Sequence, residues 1–138
     1  MSAYKLIECE IKDKQSIIAG LLDMGLNLAD IEIHDEAVSL QDYVGKNRSQ
    51  KANIIVRRKV VNKTFSTGMS NDVGFEKVEG KYKAHISDYD MSWWKRKEPK
   101  FKQIAATESI ISAAKKKGYH VQQTNEDNNI KLKLIKNF

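Results

Sequence analysis

The sequence contains little cysteine, little proline and no long hydrophobic run. Its 138 residues include one cysteine, Cys9, and one proline, Pro99. A single cysteine excludes an intrachain disulfide and a cysteine-based zinc site within one chain. No segment approaches the roughly 18 to 20 apolar residues that a membrane-spanning helix needs, and the first residues lack a basic region followed by an apolar run. We therefore expect a cytoplasmic protein with no membrane partner.

Motifs typical of enzymes are also missing. The segment 66–71, "STGMSN", lacks both the spacing and the lysine of a phosphate-binding loop. The three histidines fall on predicted strands at outward-facing positions, and none has a second His or Cys at ligand spacing. His85 with Asp88 and Asp90 is a conceivable metal set, although solvated residues at a strand end are the simpler interpretation. We predict no catalytic residue, no metal and no cofactor, which favours a protein that is not an enzyme.

Charge is present in excess and is distributed unevenly. The formal net charge is +6. Residues 1–42 hold three Lys/Arg against nine Asp/Glu, residues 43–86 hold ten against three, and residues 87–138 hold eleven against six. The length and the 41% apolar content suit one globular domain over residues 1–138. An acidic beginning followed by a basic remainder favours an anionic partner or a self-complementary oligomer.

Hydrophobic periodicity in the first half predicts the order strand, helix, strand, strand. Cys9 alternates with charged neighbours at the period of a strand with one buried face, so it is predicted to be a core residue. Asp13 can cap a following helix, and Gly25 suits the left-handed residue that ends it. The predicted elements are a strand over 7–11, a helix between Asp13 and Gly25, a strand over 31–40, a polar loop over 42–51 and a strand over 52–61.

The second half repeats this order. A hairpin turns at Glu79-Gly80, and a helix follows with Pro99 in its first position, where the missing N–H has no intrahelical partner anyway. Gly118 suits the end of this helix, and two strands on either side of a turn at 125–129 complete the chain. The predicted fold class is α+β: a two-layer sandwich of an antiparallel sheet with two helices on one face, built from two β-α-β-β-like halves over 4–61 and 82–136.

Several short motifs follow one another in a particular order. Tyr43 and Gly45 precede the third strand, the run 72–75 and the hairpin 80–88 follow, and Gly118-Tyr119 leads into the last two strands. This order resembles a cyanobacterial and plastid family, the domain of unknown function typified by hypothetical chloroplast reading frame thirty-five. The resemblance covers nearly the whole chain, apart from 62–71 and 91–98. It implies an accessory role in the cytoplasm or the plastid stroma of such organisms, or in their viruses, and implies no mechanism.

Two adjacent tryptophans stand between an acidic turn and three consecutive cations. Lysine and arginine bind phosphates, and aromatic faces stack unpaired bases at about 1 to 3 kcal/mol each, so this segment suits nucleic-acid binding. The competing interpretation is structural: adjacent side chains of an extended segment point to opposite faces, which would bury one tryptophan and expose the other. The candidate nucleic-acid-binding residues are Arg57, Arg58, Trp93, Trp94, Lys95, Arg96 and Lys97.

Three functional hypotheses remain at this point. The favoured one is a non-enzymatic accessory or binding protein that acts through a protein partner or its own homo-oligomer. The alternative is a nucleic-acid-binding module that uses the basic and tryptophan surface. A small enzyme or nucleotide-binding factor would require His85, Asp88 and Asp90 to converge in one pocket.

Overall fold

The structure is a computed structural model that describes residues 2–127 and 129–136. This part of the chain forms seven strands, three α-helices and a short 3₁₀-helix at Leu28–Asp30. The strands are β1 (Tyr4–Ile11), β2 (Ile31–Gln41), β3 (Asn47–Val56), β4 (Val73–Val78), β5 (Lys81–Ser87), β6 (Tyr119–Glu126) and β7 (Asn129–Lys136). The helices are α1 (Lys14–Asp23), α2 (Arg58–Phe65) and α3 (Met91–Lys116).

Five of the strands form one antiparallel sheet in the order β1-β5-β4-β3-β2. The strands β4 and β5 are joined by a tight hairpin, as the sequence predicts. Its turn residues Glu79 and Gly80 have φ values of 52° and 81°, and two consecutive positive φ values match the twist of the flanking strands. The predicted α+β class is confirmed.

The helices α1 and α3 cover one face of this sheet. Alternate strand residues such as Ile54, Phe75 and Ala84 point to that face and join one buried cluster with residues of both helices. The two helices approach closely at Gly20, where a Cβ atom would lie only 2.5 Å from a ring carbon of Phe101. The helices α1 and α3 therefore form one closely packed layer on this face of the sheet.

The ends of α1 are those that the sequence predicts. The carboxylate of Asp13 accepts a hydrogen bond from the backbone N–H of Ser16 at 2.9 Å, which satisfies one of the amide groups that have no partner in a first helical turn. Gly25 has a φ of +102°, which only glycine adopts without strain. Both expectations for this helix are confirmed.

The opposite face of the sheet is partly covered by the chain itself. The pairing of β2 with β3 shifts register twice, and the far end of this pair contributes Leu40 and Ala52 to a second buried cluster. His85 lies beside the ring of Tyr4, with the two ring centroids 6.5 Å apart, and is only 7% exposed. The expectation that His85 faces solvent was therefore wrong, because this face of the sheet is not fully open.

Two predicted boundaries in the middle of the chain also differ from the structure. Residues 58–61 begin α2 instead of ending a strand, because the carboxylate of Asp72 accepts a hydrogen bond from the N–H of Arg58 at 2.7 Å and caps the helix. The polar loop predicted over 42–51 is shorter, since β3 already begins at Asn47. The predictions failed because both changes depend on contacts between residues that are distant in the sequence.

The long helix α3 begins at Met91, eight residues before its predicted start, and Pro99 lies inside it. The interior proline removes one backbone hydrogen bond of the helix. Burial of two large aromatic side chains in the first turn offsets that cost, since burying such a side chain stabilises by about 1.5 to 3 kcal/mol. The helical start is therefore set by packing against the sheet.

The last two strands form a separate two-stranded sheet. A helix of 26 residues is about 39 Å long, whereas a strand of eight residues spans about 26 Å, so α3 extends beyond the sheet on which it packs. The hairpin of β6 and β7 packs against α3 and has mostly exposed side chains. The expectation of a single sheet holds for the first five strands only.

Candidate functional site

Both tryptophans lie in the helical layer of the core. Trp93 is 4% exposed and Trp94 is 1% exposed. The indole N–H of Trp93 donates to the carboxylate of Asp90 at 2.8 Å, and its ring stacks on Phe65 with centroids 4.0 Å apart. The indole N–H of Trp94 donates to the carboxylate of Glu98 at 2.9 Å. Each polar indole group is thus bonded within the protein.

This geometry corrects the expectation that one tryptophan is exposed. Trp93 and Trp94 belong to a helix, where neighbouring side chains are about 100° apart and both fit the same buried stripe. In an extended segment they would have pointed to opposite faces. A base could stack on either ring only after the core opened, so the tryptophans do not provide a surface for nucleic-acid bases.

Arg57 and Arg58, two of the predicted phosphate-binding residues, are engaged within the protein. The guanidinium of Arg57 donates two hydrogen bonds to the carboxylate of Glu32, at 2.7 and 2.9 Å, and one to the carboxylate of Asp72 at 2.8 Å. These carboxylates raise the pKa of Arg57, and the largest cause is the pair of hydrogen bonds that Arg57 donates to Glu32. Arg58 donates to the carbonyl oxygen of Tyr43 at 3.1 Å. Both arginines hold loops together at the start of α2.

Asp72 is the centre of this arrangement and is fully buried. Besides the two arginine contacts, its carboxylate accepts the backbone N–H of Gln41 at 2.7 Å. Its carbonyl oxygen accepts the hydroxyl of Tyr4 at 2.7 Å, and burial raises the pKa of that hydroxyl. The carboxylate therefore joins the end of β2 to the start of α2.

A second buried carboxylate, Asp90, lies where β5 meets α3. It accepts hydrogen bonds from the N–H of Asn71 at 3.0 Å and from the hydroxyl of Ser87 at 2.8 Å, in addition to the indole of Trp93. The side chain of Asn71 donates to Ser87 at 2.9 Å. The segment 70–72, "SND", is thus a buried polar junction, which the sequence does not predict because these partners are remote in the chain.

The histidine and carboxylates of the conceivable metal set do not converge. The imidazole of His85 contacts the carboxylate of Glu76 at 2.9 Å, and Asp88 lies 3.7 Å from the ammonium group of Lys5. Within residues 2–127 and 129–136, no group of three His, Cys, Asp or Glu side chains is placed to hold a metal ion. Cys9 is buried as predicted, and burial raises the pKa of its thiol to about 11.

The remaining predicted cations lie on the outside of α3. Lys95, Arg96 and Lys97 are exposed, and Lys100 follows on the same helix. None of the four forms an ion pair with any residue that the structure describes. They are a set of free positive charges without an accompanying aromatic surface, and we refer to these four residues as the α3 cation group.

A cleft of about 410 Å³ lies beside the beginning of α1. Its polar rim includes Lys12, Lys14 and Lys77 together with Asp13 and Asp35, and its walls also carry Gln15, His34 and Asn53. Its apolar part is formed by Ile33, Ile54 and Tyr82. Sequence reasoning missed this site, because its residues come from five separate elements and carry no shared motif.

The C-terminal hairpin exposes two large apolar side chains among its polar and basic ones. Leu134 is 48% exposed and Ile135 is 37% exposed, and they lie on opposite sides of β7. On the adjoining helix, Ile110 is 51% exposed. Because β6 and β7 pair only with each other among the described strands, each also has one edge without a neighbouring strand.

No family model, curated protein or solved structure was found to match this chain. None of the helices in the described parts of the chain is long and apolar enough to cross a membrane.

Proposed function

We propose that this chain is a non-enzymatic binding protein that acts by associating with a second copy of itself. The observation that carries the proposal is the C-terminal hairpin, which has two unpaired strand edges and exposed Leu134 and Ile135. An isolated two-stranded hairpin is marginally stable in water, so a partner that covers it adds stability. From the order of its sequence motifs alone, we also propose kinship with the plastid reading-frame family, which would place it in the cytoplasm or stroma.

Charge complementarity supports a second copy as the occupant. The exposed side chains of β7 include Lys131, Lys133 and Lys136, whereas the outer strand β2 of the main sheet exposes Asp35 and Glu36. Two copies of β7 placed edge to edge would bring lysines together, which is unfavourable. If the basic β7 of each copy instead lies against the acidic β2 of the other copy, the two contacts are related by a two-fold axis. Each contact then joins unlike charges.

Sedimentation velocity over a concentration series at low and high salt tests this proposal. We expect a dimer that dissociates as salt rises, because the contact depends on unlike charges. Lys133→Glu with Lys136→Glu should abolish the dimer, Asp35→Lys with Glu36→Lys should do the same, and all four changes together should restore it. Lys95→Glu with Lys97→Glu is the matched control and should leave the dimer intact. A monomer at every concentration and salt would contradict the proposal.

A second candidate function is sequence-independent binding of nucleic acid through the α3 cation group. The observation that favours it is that these four cations lack ion-pair partners among the described residues. Fluorescence anisotropy with labelled duplex and single-stranded oligonucleotides should then show duplex binding at least as tight as single-strand binding, because neither tryptophan ring is exposed for base stacking. The logarithm of affinity should fall with the logarithm of salt at about 0.9 per phosphate contacted. Absence of binding at low salt would exclude this candidate.

A further inference from the structure

The hydroxyl of Tyr82 is the feature that distinguishes the cleft beside α1 from an ordinary surface hollow. Tyr82 is 4% exposed and packs in the main core. Its hydroxyl has no hydrogen-bond partner among the residues that the structure describes. Every fully buried side-chain nitrogen or oxygen in that part of the chain does have a partner, so the hydroxyl oxygen must keep some contact with solvent. The cleft that Tyr82 lines is where that contact lies.

Electrostatic coupling to Asp13 supports this orientation. Burial raises the pKa of the Tyr82 hydroxyl, and the negative charge of Asp13 raises it further. Asp13 and Tyr82 both line the cleft, so the two groups border the same space. A buried tyrosine normally bonds its hydroxyl, and an unbonded one that opens into a cavity is available to a ligand.

The charges around this hydroxyl favour an anion. The ammonium group of Lys77 lies 5.8 Å from the centroid of the Tyr82 ring, and Lys12 and Lys14 are exposed at the rim. Two carboxylates oppose these three cations. The Asp13 carboxylate already accepts hydrogen bonds from Ser16 and Ser109, which leaves Asp35 as the less engaged negative charge.

The start of α1 adds hydrogen-bond donors to these cations. The first backbone N–H groups of a helix have no intrahelical acceptor, and in α1 the Asp13 side chain satisfies that of Ser16 only. The helix dipole also favours negative charge at this end. A phosphate group has three terminal oxygens and about two negative charges near neutral pH, and so uses more of these donors than a carboxylate does.

We propose that this cleft binds a small organic phosphate, with the Tyr82 hydroxyl and the Lys77 ammonium group as ligands of the phosphate oxygens. Ile33, which is 42% exposed, and the adjoining Ile54 contact the apolar part of the same molecule. The volume of about 410 Å³ is within the range of pockets that hold small metabolites. The site shares Asp35 with the part of β2 that is proposed to contact a second copy, but no residue of the hairpin lines it.

The test is a titration of the ¹⁵N-labelled full chain with phenyl phosphate at constant ionic strength, followed by amide chemical shifts. We expect saturable shifts confined to residues 12–16, 33–35, 53–54, 77 and 82. Tyr82→Phe removes one oxygen atom and keeps the ring in the core, and it should weaken binding about tenfold or more. Lys77→Gln, on an exposed side chain, should weaken binding by a similar factor. Lys77→Gln still tests the site if Tyr82→Phe does not fold.

Two controls define what would overturn the site. Lys95→Gln removes one positive charge outside the cleft and should leave the affinity unchanged. Benzoate presents the same ring with a carboxylate and should bind at least threefold more weakly than phenyl phosphate, while inorganic phosphate alone should also be weaker because it lacks the apolar part. Equal affinities of the parent and Tyr82→Phe proteins, tighter binding of benzoate, or shifts spread over all exposed lysines would each refute the proposal.

Discussion

At the scale of single residues, the most consequential side chains are buried carboxylates that accept hydrogen bonds from residues distant in the sequence. The carboxylate of Asp72 accepts three hydrogen bonds, one from the guanidinium of Arg57 and two from the backbone N–H groups of Gln41 and Arg58. Its burial would be costly if any of these donors were missing, because an unpaired charge in the interior is strongly unfavourable. These three hydrogen bonds explain why a short polar motif, and not a hydrophobic one, lies between α2 and β4.

Replacement of Asp72 tests this account. Asp72→Ala leaves the part-buried N–H groups of Gln41 and Arg58 without their acceptor and leaves Glu32 as the only carboxylate bonded to Arg57 among the described residues. We expect the free energy of unfolding to fall by about 3 to 5 kcal/mol, measured by urea titration. Asp88→Ala removes an exposed carboxylate 3.7 Å from the ammonium group of Lys5 and should change the free energy of unfolding by less than about 1 kcal/mol. Similar urea midpoints for the two variants would refute a central role for Asp72.

At the scale of secondary-structure elements, the correct predictions were those that depend on residues close together in the sequence. The alternation in β1, the cap and the terminal glycine of α1, and the Glu79-Gly80 hairpin depend on neighbouring residues, and the sequence predicts all of them. The start of α3 and the existence of α2 depend on remote contacts: the burial of Trp93 and Trp94 against the sheet, and the capping of Arg58 by Asp72. For the same reason the cleft at Tyr82 carries no signal in the sequence.

The C-terminal hairpin is the element with the weakest attachment to the rest of the chain. It contacts α3 and forms its own sheet, while the main core contains residues of all five strands of the main sheet and of the helices but none from β6 or β7. Removal of residues 119–138 should therefore leave a cooperatively folding protein with near-ultraviolet circular dichroism from buried tryptophans. We expect its melting temperature to fall by about 2 to 8 °C, since 1 kcal/mol corresponds to about 2 to 8 °C in domains of this size range.

Removal of β1 is the matching comparison for this truncation. Deleting residues 2–11 takes away a strand that is hydrogen-bonded to β5 and contributes Cys9 and Ile11 to the core. That deletion should abolish cooperative unfolding. If the two deletions had equal effects, the hairpin would be part of the cooperative core. If the hairpin deletion stayed folded but still dimerised, the hairpin would not be the contact between copies.

At the scale of the whole molecule, a chain with net positive charge is held together by several carboxylates in hydrogen-bonded positions. Asp42 is desolvated, which raises its pKa, but the hydrogen bonds from the N–H groups of Lys46 and Val44 outweigh that effect and hold the pKa below its usual value. Desolvation likewise opposes the hydrogen bonds from Ser16 and Ser109 that lower the pKa of Asp13. Hydrogen bonds from Arg57 lower the pKa of Glu32. The turn at Asp42, the start of α1 at Asp13 and the contact between Arg57 and Glu32 thus all depend on ionised carboxylates.

These three lowered pKa values predict acid sensitivity. A carboxyl group whose pKa is lower in the folded state adds stability above its unfolded value and loses it as the pH falls through the folded value. The unfolded values are 3.8 for Asp and 4.5 for Glu, so the contribution of these three groups to the free energy of unfolding should be constant well above these values and fall progressively below them. Urea titrations across this range should show the fall, and Asp42→Asn should make it shallower. Added salt weakens the repulsion between lysines. Titrations at two salt concentrations therefore separate the effect of charge repulsion on the free energy of unfolding from the effect of carboxyl protonation. A fall that is as steep in Asp42→Asn as in the parent chain would assign the acid sensitivity to charge repulsion alone.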